Sequence, residues 1–231
     1  MNRREFSLGL AALLGAFVAP VARATALDSI SAEEAAQAVR EGLVQISSQV
    51  IAKLGRADGF LGNSKIKINL PKNYARADAV LRTLGQGRKV DDLVLSMNRT
   101  AEMAVPRIEQ SVIVAAQKLS IQDAKAILQG GNDALTLYFR QATEVQLGLE
   151  LTPVIKNVAA PSGLTRAYDN LSRKLVQLAG LKSKQSTVED YVNKNALNGI
   201  FAVMSEEERV LRANPTQYVS ATAGKVFGLI Q

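Results

Sequence analysis

The chain has 231 residues, 47% of them apolar and 21% charged, with a formal net charge of +7 and neither histidine nor cysteine. The missing residue types exclude disulfides, Ser-His-Asp and Cys-His triads, and any His- or Cys-ligated zinc, iron or copper site. Carboxylate chemistry and hard-cation binding survive that exclusion, and no cofactor is expected.

In chain order the first feature is an address label. Asn2-Arg3-Arg4-Glu5-Phe6-Ser7-Leu8 resembles a twin-arginine export motif, with a departure at Asn2, where Ser or Thr is usual, and another at Ser7, where Leu is common. An apolar stretch, Leu8 to Ala19, is too short to anchor the chain comfortably in a bilayer. Ala24-Thr25-Ala26 then supplies a small-residue cleavage site. The expectation is a leader over residues 1–26, cleaved near Ala26, and a single helical domain over 27–231 in the periplasm. An ordinary Sec leader with incidental arginines is the alternative route to the same place. Arg3, Arg4 and Arg23 against Glu5 account for two of the seven charges, leaving +5 on the remainder. That balance suits anionic partners such as lipid head groups, while the absence of an aromatic-interleaved basic stripe argues against nucleic acid.

Ser31 before Ala-Glu-Glu is an N-cap signature. The apolar positions Ala35, Val39, Leu43, Ile46, Val50 and Leu54 recur at three and four, predicting a helix that Gly55 ends. Residues 55–73 hold an Asp58-Gly59 turn signal and the alternating Ile66, Ile68 and Leu70. The alternation predicts a short extended segment lying on a bundle and stopped by Pro71. Helices follow over about 74–84 and 91–105, and Pro106 opens another to Leu119. Ser120-Ile-Gln-Asp123 resembles a capping box for a helix closed by Gly130-Gly131. Asn132 is expected to cap a helix running towards Lys156 with a kink at Pro153. Helices over about 161–178 and 188–212, and one after Pro215, complete the chain. The fold class is all-α: an irregular multi-helix bundle with one short extended segment near residues 65–71.

Several segments, taken in order, resemble the bacterial family catalogued as domain of unknown function 4197. They include Asp58-Gly59-Phe60, Lys67-Ile68-Asn69-Leu70-Pro71, Leu84-Gly85-Gln86-Gly87, Met97-Asn98-Arg99-Thr100-Ala101-Glu102 and Ile127-Leu128-Gln129-Gly130-Gly131-Asn132-Asp133. Further on come Tyr138-Phe139-Arg140, Gly163-Leu164-Thr165 with Tyr168, Tyr191-Val192, Glu206-Glu207 and Arg212-Ala213-Asn214-Pro215. Asn69 stands where Pro is commoner, and Asn198 and Asn214 where Asp is expected. The resemblance implies a helical, exported protein and supplies no activity.

Six residues are singled out for a ligand. Asn98, Arg99 and Glu102 lie within one turn, able to wall a polar pocket or to form a structural network. Asp133, Tyr138 and Arg140 follow the Gly130-Gly131 turn, whose amides could cradle an anion beside Arg140; capping, with an Arg140–Glu144 pair, is the structural counterpart. The run Glu206-Glu207-Glu208 reads as a solvated helix face, from which helical spacing lets only one or two of the acids point inwards. The leading functional expectation is non-enzymatic binding of a lipid or other amphiphile, or of a periplasmic protein. The alternative is a carboxylate-only glycan-cleaving enzyme of lytic transglycosylase type, with Glu102 as its acid and base. A deep cleft with Glu102 buried and unpaired would favour that enzyme; Glu102 locked to an arginine would count against it.

Overall fold

The computed structural model describes residues 29–120, 122, 124–179 and 186–229. The expected export leader and the Ile121 and Asp123 part of the expected capping box lie outside the described residues. The fold is all-α, and among the described residues there is no strand.

Helix α1 spans Ala32–Leu54 and opens on the expected cap: the Ser31 hydroxyl accepts from the Glu34 amide, and the Glu34 carboxylate accepts from the Ser31 amide. These reciprocal bonds hold Glu34 below the usual carboxylate range. A 3₁₀ turn leads into α2 (Ala75–Thr83). Helix α3 (Gly87–Ala104) starts four residues earlier than the apolar periodicity suggested. A 3₁₀ turn carrying Pro106 joins it to α4 (Glu109–Lys118), and the short α5 (Ala124–Gln129) follows.

Helix α6 (Ala134–Ser162) is the longest described; it continues through Pro153 and also through Pro161, where a new helix was expected. It ends at Gly163, whose φ of 71° is open to glycine and strained for other residues. Helix α7 (Leu164–Ala179) therefore begins three residues after the predicted start. Helix α8 (Val188–Ala213), capped by Thr187, and α9 (Ala221–Gly228), capped by Ser220, complete the fold.

Helix α6 packs along α8, and α1 lies against α4, α5, α8 and α9. Helix α3 joins this group to an outer pair, α2 and α7. Leu43, Ile46 and Val50 of α1, Met97 and Ala101 of α3, Phe139, Leu147 and Ile155 of α6, and Ile200 and Met204 of α8 are all buried in one core. Phe139 meets Phe201 edge-on, with ring centroids 6.3 Å apart. Phe60 sinks onto α8 only because Gly199 lies beneath it: a Cβ there would stand 2.6 Å from the ring.

Candidate functional site

Two of the sequence-predicted residues hold the segment between α1 and α2 in place. Asn98 is fully buried, and its amide works in both directions on one residue: Oδ1 accepts from the Ile68 amide at 2.9 Å, and Nδ2 donates to the Ile68 carbonyl at 2.9 Å. It also donates to the Val94 carbonyl at 2.7 Å. A side chain thus does for Ile68 what a neighbouring strand would have done. Ile66 and Ile68 are buried as their alternation requires, without a sheet.

Glu102, 3% exposed, works similarly one turn later. Its Oε1 accepts from the Phe60 and Leu61 amides at 3.0 Å each, and its Oε2 accepts from Arg99 at 2.6 Å. Arg99 bridges onward to Asp58 at 2.7 Å, and the two carboxylates raise its pKa, Glu102 first. Asp58 itself adopts a φ of 64°, a left-handed turn residue held by this pairing. Arg99 and Glu102 do border a pocket of about 360 Å³, with Met103 and Arg107 on its rim. Yet both carboxylate oxygens of Glu102 are committed to protein donors. By the criterion set from the sequence, the geometry counts against a glycan-cleaving acid at this residue.

The second trio does not assemble. Arg140 makes the expected bidentate pair with Glu144 (3.1 and 2.7 Å), adds Asn198 at 2.9 Å, and stands 5.2 Å from the Phe201 ring centre. Asn198, where a family carboxylate was expected, is therefore a neutral acceptor for Arg140. The Tyr138 hydroxyl donates to the Ser120 carbonyl at 2.5 Å. Asp133, rather than Asn132, is the N-cap residue of α6, and neither supplies a side-chain cap bond. No described pocket is lined by all six predicted residues.

The cap for α6 comes from the charge run, one member of which points inwards. Glu208 is fully buried. It accepts from the Leu135 amide (3.0 Å), the Thr136 amide (2.8 Å), the Thr136 hydroxyl (2.7 Å) and Arg212 Nε (2.9 Å). Arg212 also donates to the Leu128 and Ile127 carbonyls at the end of α5. The carboxylate thus faces the positive end of one helix and the guanidinium the negative end of another. Glu206 and Glu207 reach outwards instead, to Lys65 at 2.6 Å and Lys53 at 3.0 Å.

Two concave sites fall outside the sequence expectations. One, of about 470 Å³, is bordered by Tyr74, Tyr168 and Tyr191; burial pushes the Tyr168 hydroxyl up to about 12, and Tyr191 donates to the Asn69 carbonyl. The larger is an open groove of about 830 Å³ between α3 and α7. It is lined by Lys89, Asp92, Leu93 and Ser96 on one side and by Leu164, Ala167, Asn170, Leu171, Arg173 and Lys174 on the other, with Ser162 at one end. Its volume lies within the range of small-molecule sites. The one local signal that could have pointed to half of it is the amphipathic pattern of α7, whose polar face carries Arg173 and Lys174. Leu137, Val145 and Leu149 of α6 are also exposed, at four- and eight-residue spacing. Among the described residues no helix is long and apolar enough to cross a membrane, and no cluster of acidic residues could hold a metal ion.

A family model described as "Protein of unknown function (DUF4197)" matches residues 29–228. No curated protein and no solved structure matches the chain.

Proposed function

We propose, from the premise that this chain belongs to the DUF4197 family, that it is exported to the periplasm and there binds an amphiphilic ligand without chemical turnover. The observation that carries the reading is the groove between α3 and α7. Leucines floor it, serines and an asparagine border it, and it is open along its length. Two of the buried carboxylates, Glu102 and Glu208, are taken up by backbone amides and arginines, and a third, Glu189, accepts from the Thr165 hydroxyl.

Ala167 faces this groove and is exposed, so Ala167→Trp plugs the site without touching the core. Calorimetric titration with dodecyl maltoside, a neutral amphiphile, kept below its micelle concentration, is expected to show binding that A167W weakens more than about tenfold. The melting temperature should stay within about 1 °C, as for other surface substitutions. Unchanged binding in A167W would remove the groove from the reading and leave the exposed α6 residues, with a protein partner, in its place.

Export is tested separately. Replacing Arg3 and Arg4 by lysine keeps the charge and removes the paired guanidinium groups. Cell fractionation is expected to find the R3K/R4K precursor retained in the cytoplasm. Normal processing and periplasmic recovery would instead assign the leader to the Sec route.

A further inference from the structure

The groove is not electrically uniform along its length. Lys174 of α7 donates to the Gln86 side chain at 3.3 Å, just before α3 begins, so the second half of α7 lies beside the start of α3. Lys89, Arg173 and Lys174 therefore gather at one end. Ser96 and Leu164 belong to the other end, ten residues and about 15 Å back along α7 from Lys174. Arg173 donates only to neutral acceptors, the Asn170 side chain and the Asp169 carbonyl, and Lys174 likewise to Gln86. Among the described residues none of the three cations forms an ion pair with a carboxylate. Asp92 is the one acid lining the groove, so this end keeps an excess of positive charge.

From this polarity we infer that the ligand is a single-chain amphiphile with an anionic head group, its head on Lys89, Arg173 and Lys174 and its chain along Leu171 towards Leu164. The inference rests on the groove being the binding site. Charge complementarity selects the head group: three cations that make no ion pair among the described residues favour a phosphate or carboxylate head over a neutral or cationic one. The leucine floor requires the attached chain, because a free anion gains nothing from it.

The test compares dodecyl phosphate, dodecyl maltoside and inorganic phosphate by calorimetry on the purified protein, each surfactant below its micelle concentration. At low ionic strength dodecyl phosphate is expected to bind about tenfold more tightly than dodecyl maltoside, the sum of a few partly screened charge contacts. High salt should shrink that preference. The surface variant K89Q/R173Q/K174Q should abolish it, bringing the two surfactants to equal affinity. Equal affinities for the two surfactants overturn the head-group assignment and leave the groove standing. Absence of binding by either surfactant overturns the groove itself. Inorganic phosphate displacing dodecyl phosphate at matched concentration would show that the chain is dispensable and overturn the amphiphile assignment.

Discussion

Replacing Glu208 by alanine is expected to lower the stability of the protein by about 4 kcal/mol, the range for removing one partner of a buried ion pair. For a domain of this length that is a fall of roughly 10 °C in melting temperature. Three losses act together. The Leu135 and Thr136 amides lose their acceptor, the first turn of α6 loses its counter-charge, and the buried Arg212 guanidinium loses its Glu208 carboxylate. Glu208→Gln retains an acceptor oxygen and should cost about half as much. The pair is buried, so added salt should change the difference little. Thermal unfolding of the three proteins, at low and high salt, measures all of this. A shift below about 2 °C for E208A would mean that water replaces the carboxylate and that the cap is incidental.

Asn98→Leu is expected to cost about 3 kcal/mol, because it leaves the amide and carbonyl of a fully buried Ile68 without partners. Leucine keeps the branching and the number of heavy atoms, so no cavity forms and the lost hydrogen bonds dominate. The damage should also be local. Buried side chains of α3 pin residues 55–71 at two places, Asn98 on Ile68 and Glu102 on Phe60 and Leu61. Releasing the first should open the chain around Lys65 and Lys67, so brief trypsin treatment should cut there in N98L before any other site. Cleavage elsewhere first, with a melting temperature equal to the parent, would show that the segment is held by Ile66 and Ile68 packing alone.

Both substitutions fall on polar residues that the sequence could not rank. Glu208 is the last of three identical neighbours, and helical spacing alone could say only that one or two of them point inwards. Asn98 was grouped with Arg99 and Glu102 for their spacing on α3. The structure joins Arg99 to Glu102 but turns Asn98 to a different stretch of chain. The proposed groove was equally hidden, since Lys89 and Arg173 are more than eighty residues apart and meet only when α3 and α7 pack.

The sequence by itself determined the all-α class, most helix spans to within a few residues, the Ser31 cap and the burial of Ile66 and Ile68. Each of these is decided within about one turn of chain, by the 3.6-residue period, by a cap reaching three residues ahead, or by alternation. Tertiary structure alone decided where α6 starts, because its cap is Glu208, 73 residues distant from Leu135. It also decided that the segment before Pro71 makes no sheet, because Asn98, 30 residues from Ile68, takes the bonds a strand would have offered. Local signals place apolar groups on a face, but the partner of a buried polar group is fixed by whichever distant element packs against it.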